Sequence, residues 1–509
     1  MSTAQRVIGN TMWLYLRMGV SIVVNIFTTR ILLEALGASD FGLYNVVGGA
    51  IAMLGFLSSA MASATQRFLN VAEGEGHPER IKQIFDNALA IHRGLALFVV
   101  LFLTAAGFFF FNGILNIPPG RENVAVAVYA CMLVTTVYGI TITPYDAVLN
   151  AHENMRYYSI LGIGDVVFKF VIAICVAVYG YDRLLFYAVL MAVESWGFRT
   201  VTQLYCRHRY SECRKVVLRK SVDRSTIKQM AGFASWNLLG QAASIVSLFG
   251  MNVVVNHYFD TKVNAAMGVA TQLSGVIMAL SMNMIKALSP VLMKSEGAGQ
   301  KGQVVEISYI GCKFSYLLFS FVCIPALLWL PTLLNLWLRQ VPDWTEVFCV
   351  ILIVGTLVEQ LTVFLYQSIC ATGHIRNFSI WRGSTNILSL LISITLFAIG
   401  GFGPYWALLS WCFCKAVLGG AVMLVYSIKL NGIKISSYAG RVLLPCVAVS
   451  AIVSIVGYAL KWLVEGGLAI NLASILILII VSVPIYWFVA LNSNERAVFK
   501  GLYLKILHR

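Results

Sequence analysis

Residues 8–33 read IGNTMWLYLRMGVSIVVNIFTTRILL, twenty-six residues interrupted by two charges, Arg17 and Arg30. About 20 predominantly apolar residues are enough for a helix to cross the hydrocarbon of a bilayer, so the stretch predicts a transmembrane helix. It does not read as a cleaved leader, because it is too long, carries Arg17 in its middle and runs into Glu34 rather than small residues. Thirteen similar stretches follow, at 42–64, 88–112, 124–149, 157–178, 184–206, 229–257, 263–287, 304–330, 345–371, 378–400, 404–430, 441–462 and 468–491. None shows the short alternating pattern of barrel strands. The expected fold class is all-α, a polytopic membrane protein of about 14 transmembrane helices.

Composition agrees with that reading. Of 509 residues, 59% are apolar and 12% are charged, half of the roughly 25% charge of a soluble domain. An ordinary cytosolic enzyme and a disordered chain are both excluded. The formal charge of +15 is distributed by topology: connections on the side of Arg6 carry 25 Lys and Arg, whereas the opposite connections carry five, Arg121, Arg183, Lys262, Arg339 and Lys461. Lys and Arg bias sets orientation, so both termini are expected in the cytoplasm and no nucleic-acid partner is implied. The eleven cysteines form no CxxC pair, the histidines form no metal-spaced cluster, and phosphate-loop and nucleophile-elbow strings are missing. No cofactor, metal or catalytic residue is expected.

The chain repeats itself. At an offset of 223, residues 9–76 align without gaps with 232–299, pairing Gly9 with Gly232, Trp13 with Trp236, Ser21-Ile22-Val23 with Ser244-Ile245-Val246, and Glu73-Gly74-x-Gly76 with Glu296-Gly297-x-Gly299. A second match at an offset of 220 pairs Ala151, Arg156, Ser159 and Ile160 with Ala371, Arg376, Ser379 and Ile380. Two parallel six-helix copies around a central cavity follow, a plan common in transporters working by alternating access. The expected division is an N-lobe at 1–206, a basic cytoplasmic linker at 207–228, a C-lobe at 229–430, and two further helices with a cytoplasmic tail at 431–509.

Seven bases fall inside spans: Arg17, Arg30, Arg93, Lys169, Arg199, Lys313 and Lys415, against the acids Asp165, Glu194 and Glu359, with Asp146 near a span end. Each costs at least about 2.5 kcal/mol at a helix centre unless it meets a partner or a cavity. Arg93 can snorkel to the surface, as can Arg30. Asp165 and Lys169 are four apart on one helix face and can neutralise each other or serve substrate or proton. Arg17, Lys313 and Lys415 have no acid within a turn and lie near mid-depth, so they are expected to contact an anionic cargo; pairing with Glu194 or Glu359 from another helix is the competing reading. Asp165, Glu194 and Glu359 are the candidates for coupling to protons or sodium, with the membrane potential as the other energy source.

Beyond these patterns, Trp13, Arg17, the string Thr29-Arg30-Ile31-Leu32-Leu33-Glu34-Ala35-Leu36-Gly37, then Asp40-Phe41-Gly42-Leu43-Tyr44-Asn45 and Thr65-Gln66-Arg67-Phe68 resemble the Wzx-type polysaccharide flippases of the multidrug/oligosaccharidyl-lipid/polysaccharide exporter superfamily. The resemblance is motif-specific over the first seventy residues. It implies two six-helix lobes in a V, a bacterial inner-membrane location, and transfer of an undecaprenyl-pyrophosphate-linked oligosaccharide from inner to outer leaflet for O-antigen or capsule. The last two helices resemble those bordering a lipid-tail groove in the related lipid II flippase. Carried over, the resemblance favours Arg17, Arg30, Arg67 and Lys286 as cavity cations meeting pyrophosphate; Arg67 and Lys286 are equally readable as cytoplasmic anchors. Arg17 and Arg30 are thirteen apart, about 140° on a straight helix, so both reach one cavity only if the helix bends.

The expected partners are a lipid-linked oligosaccharide, the bilayer and a polysaccharide polymerase complex, with the chain a monomer. One alternative is a multidrug or cation-coupled antiporter of the same superfamily. Another is a membrane polymerase or ligase, disfavoured because the longest outer connections, 331–344 and 113–123, offer poor material for acid–base catalysis. Residues 78–88 and the tail beyond Asn494 read as amphipathic segments at the cytoplasmic surface.

Overall fold

The computed structural model describes all residues except 1–2, 53–54, 112–116, 118, 215–222, 260, 339, 465, 494 and 498–509. The described residues form helices and no strand. Chain contacts divide them into two compact units, Ile8–Leu238 and Leu239–Arg509, the latter joined by Met1–Val7.

The first unit contains α1 (Thr3–Ala52), α2 (Gly55–Glu75), α3 (Pro78–Phe109), α4 (Glu122–Ala151), α5 (Met155–Val178) and α6 (Arg183–Arg209). Helix α1 is two limbs joined at Gly37, whose φ of 74° and ψ of 164° no helix contains; glycine supplies the positive φ without steric cost. The break is clasped. Arg183 Nη1 donates to the carbonyl of Ala35 at 3.0 Å, and the Arg121 guanidinium bridges Asp40 to Asp182. Asp182 in turn caps α6 by accepting from the Leu185 N–H at 3.0 Å, satisfying one of the donors that a helix start leaves open. Leu36, Leu43, Val47, Val99, Leu103, Val128 and Ile172 gather in one apolar core of this unit.

A second core corrects one expectation. Residues 78–88 are not a separate surface elbow but the first turns of the continuous helix α3. Ile84, Phe85, Ala88 and Leu89 pack there against Leu69 and Ala72 of α2 and Tyr145 and Val148 of α4, so the apolar stripe meets protein rather than lipid. Apart from residues 495–497, the tail segment falls on residues outside the described ones, as does part of the basic connector, 215–222.

The boundary between units falls within α7 (Arg224–Tyr258). The second unit continues with α8 (Thr261–Gly297), α9 (Lys301–Leu328), α10 (Leu330–Trp337), α11 (Thr345–Gln360), α12 (Val363–Thr372) and α13 (Arg376–Ile399). Then α14 (Tyr405–Cys412) passes through a π turn, Phe413–Leu418, into α15 (Gly419–Asn431). Short α16 (Ile435–Tyr438) passes through a second π turn, Ala439–Leu443, into α17 (Leu444–Leu463), and α18 (Leu468–Ile485) ends in a third, Tyr486–Ala490. The connection at 331–344 is partly helical, α10 occupying its first part. The last two spans pack on α9, with Tyr316 Oη to Ser450 Oγ at 2.8 Å and Ser320 Oγ to Tyr486 Oη at 2.7 Å.

Twelve helices among the described residues are long and apolar enough to cross a membrane, and the pair α11 and α12, bent by 47°, makes thirteen when taken as one span. The remaining stretch of the fourteen, 42–64, lies on the second limb of α1 and the start of α2, across residues 53–54 outside the described set. The chain is an all-α, multi-pass membrane protein.

Candidate functional site

The membrane charges of the first unit form two groups. The first joins α1 to the start of α5. Arg17 lies over the Tyr158 ring at 4.5 Å, and its side chain fills the space above Gly162, where a Cβ would collide with it. Arg156, two residues before Tyr158, stands over Trp13 at 5.6 Å. Among the described residues neither arginine has a carboxylate at ion-pair distance, and Arg17 interacts through space with Asp165 of the second group. An aromatic face attracts a guanidinium without neutralising it, so Arg17 and Arg156 keep their charge available to an anion. Arg67, at the end of α2, sits between the rings of Phe68 and Phe233 at 4.8 and 5.1 Å.

The second group is acidic as well as basic. Lys169 Nζ donates to Asp165 at 2.8 Å within α5, the four-residue spacing that allows a helical ion pair. Glu194 of α6 is 3% exposed. Both its carboxylate oxygens are shut off from solvent and face the Asp165 carboxyl, with Lys169 and Arg199 supplying opposite charge. Arg199 donates Nε to Ser195 Oγ at 3.0 Å and covers Gly139. Lys169, Glu194, Tyr44, Thr135, Thr136 and Ser195 line a cavity of about 260 Å³ that opens within this unit. A buried carboxylate facing a second carboxyl is expensive; a proton or cation between the two would relieve it.

Arg30 does not join Arg17. The break in α1 lies at Gly37, beyond both residues, so the limb holding them gives no bend to bring them together. Arg30 is ion-paired to Glu34 at 3.0 Å with both side chains largely exposed.

In the second unit the two deep lysines are paired, which corrects their reading as unpaired cavity cations. Lys313 on α9 meets Glu495 at 2.7 Å, and its side chain is 5% exposed. Lys415, on the π turn between α14 and α15, meets Glu359 at 2.8 Å and lies over Trp411 at 4.7 Å. Glu359 stands at the end of α11, beside the bend. There the Leu361 carbonyl, left without a helical donor, accepts from Tyr438 Oη. For Lys415 the partner is Glu359 of another helix, one of the two acids of the competing reading; for Lys313 it is Glu495, which that reading did not include. Lys286, on α8, is engaged in contacts of its own.

Sequence reasoning missed Arg156 because it was counted as a loop anchor, and missed Glu495 because it was counted as tail. The repeat held the signal for the first: Arg156 and Tyr158 lie in its second matching segment. It also shows an asymmetry. Gly240 occupies the position that corresponds to Arg17, and Ser379 of α13 is its nearest side-chain neighbour. Serine and asparagine join α7 to α13, with Asn386 donating to Ser244 at 2.7 Å and Ser247 meeting Ser389 at 2.9 Å.

These helices superpose on solved structures over most of their length. The crystal structure of a MATE point mutant matches with a TM-score of 0.72 at 12% identity, covering 85% of this chain and 97% of that one. The fold is that of the MATE proteins. An outward-facing multidrug resistance MATE family transporter of the MOP superfamily matches at a TM-score of 0.69 and 13% identity, covering 85% of this chain and 97% of that chain. A MOP superfamily transporter from Pyrococcus furiosus, described by the reverse polarity of its binding pocket and a suggested different function, matches at 0.69 and 12%, covering 86% and 97%. No described sequence family matches the chain, and no curated protein does. At these identities the likeness speaks for the MATE fold.

Proposed function

We propose that this MATE-fold chain is a transporter that moves an undecaprenyl-pyrophosphate-linked oligosaccharide from the inner to the outer leaflet of a bacterial inner membrane by alternating access, with both termini cytoplasmic. The observation that carries the reading is the first group of cations. Arg17 and Arg156 are held on Tyr158 and Trp13 by adjacent helices and lack a carboxylate partner among the described residues. Arg17, a cation within a span, calls for an anionic ligand, Arg156 stands exposed in the first turn of α5, and a pyrophosphate can accept several guanidinium N–H bonds at once. The sequence resemblance over the first seventy residues supports the same cargo. Glu194, which lines the 260 Å³ cavity, Asp165, the partner of the lining residue Lys169, and Glu359 are the proposed coupling carboxylates. Association with a polysaccharide polymerase complex belongs to this reading.

A second reading, a multidrug antiporter, is favoured by one observation: Glu194 is a buried acid lining a cavity, and such an acid would welcome a cationic drug. The two separate in proteoliposomes. Translocation of a lipid pyrophosphate-linked oligosaccharide is expected to fall at least tenfold in Arg17→Ala and Arg156→Ala, about the effect of losing one charge-assisted contact, with partial recovery in Arg17→Lys. Wild-type rates in both alanine variants, or extrusion of a cationic dye with no lipid translocation, would overturn the proposal.

A further inference from the structure

The second unit holds a polar pit that the proposed cargo path does not use. It lies where the early turns of α9, the π turn at Ala439–Leu443 and the chain leaving α18 meet, a cavity of about 190 Å³ whose lining includes Glu306, Lys313, Arg441 and Glu495. Two bases and two acids make it neutral in sum, with the charges arranged as two ion pairs. The inner pair, Lys313 with Glu495, is closed, its side chains being 5% and 13% exposed. The outer pair, Arg441 Nη1 with Glu306 at 2.8 Å, is open, its side chains being 59% and 54% exposed. An exposed pair of this kind is weakly held, so Arg441 and Glu306 can part and each take a group of a ligand.

Exposed apolar side chains stand at the helix ends next to the pit in sequence. Leu444 precedes the lining residue Pro445 and Phe488 precedes the lining residue Val489; Leu444, Val447 and Phe488 are exposed among the described residues, with the Arg496 guanidinium over the Phe488 ring at 5.8 Å. A ligand matching both features has an apolar body and a compact head bearing one anion and one cation. A cation that donates N–H bonds suits Glu306 best, because an ionised carboxylate accepts hydrogen bonds. That favours a primary ammonium over a quaternary one, which would meet the carboxylate by charge alone, while a purely anionic head would leave Glu306 facing like charge.

We propose that this pit is a headgroup site for an aminophospholipid, phosphatidylethanolamine, with the phosphate on Arg441 and the ammonium on Glu306. The inner Lys313–Glu495 pair forms the rigid floor. The inference is independent of what the chain transports.

The test is native mass spectrometry of the full chain in detergent, titrated with phosphatidylethanolamine, phosphatidylcholine and phosphatidylglycerol of identical acyl chains. One phosphatidylethanolamine is expected to be retained with a preference of about tenfold over each of the others, the scale of a charge-assisted contact. Free phosphoethanolamine should displace it and inorganic phosphate should not. The double variant Glu306→Gln/Arg441→Gln changes only exposed side chains and should bring the preference to within about twofold with unaltered elution. Equal retention of phosphatidylcholine, preference for phosphatidylglycerol, displacement by inorganic phosphate, retention of no phospholipid, or an undiminished preference in the double variant would each overturn the proposal.

Discussion

Replacing Lys415 by Met separates two roles that the sequence leaves open for a deep lysine. Lys415 and Glu359 are 2.8 Å apart, with side chains 20% and 11% exposed. Removing the ammonium would strand the Glu359 carboxylate beside the bend between α11 and α12, in a place water reaches poorly. Breaking a buried pair from one side costs about 3–5 kcal/mol, and in a unit of this size that corresponds to a fall in melting temperature of roughly 10 °C. Replacing both partners, Lys415→Met with Glu359→Gln, removes the stranded charge and should return most of that loss. The assay is thermal unfolding of the purified protein followed by tryptophan fluorescence. A Lys415→Met protein melting within about 2 °C of wild type would refute the structural role of the pair. A double variant no more stable than the single one would refute it equally.

Gly162→Ala is expected to act through Arg17: the new methyl would occupy the space of the Arg17 side chain, whose flexible end must move. Translocation should fall as in Arg17→Ala while unfolding stays within about 1 kcal/mol of wild type; normal transport would show that the position of Arg17 is immaterial. His152, in the connection after α4, is held by Glu212 at 2.6 Å and Glu73 at 3.4 Å and stacked on Tyr210 at 4.2 Å. Burial pulls its pKa down, but the two glutamates together outweigh it and raise the pKa to about 9. The stabilisation, about 3 kcal/mol at most, is therefore complete below the unfolded pKa near 6.5 and is lost as pH rises through about 9. Melting curves of wild type and His152→Gln should converge between pH 7 and about 10; a constant gap across that range would refute the charge on the ring.

The spans were legible because apolar runs as long as a bilayer is thick admit few other structures. The second stretch was the exception in outline. Gly37 marks a break that hydropathy does not register, since a glycine adds little to a window average whichever φ it adopts. The bend after Gln360 was equally silent: no proline announces it, and its stabilising groups, Tyr438 Oη and the Glu359–Lys415 pair, come from elements about fifty to eighty residues away in the chain. The site was legible by residue type and not by partner. Asp165 with Lys169 could be paired on paper because four residues are one helical turn. Lys313 with Glu495 could not, because 182 positions separate them, and only folding brings the chain end to α9.

The clasp around Gly37 also sets a mechanical scale. Arg183 fixes the carbonyl of Ala35 on one side of the break and Arg121 fixes Asp40 on the other. The limb running back from there is a rod, and Arg17 lies on it about 30 Å from the break at 1.5 Å per residue. A rotation of about 10° at the break would sweep Arg17 through about 5 Å, more than enough to lift its guanidinium off Tyr158. Two arginines at one end of the unit thus govern the reach of a third at the other, with leverage supplied by length alone.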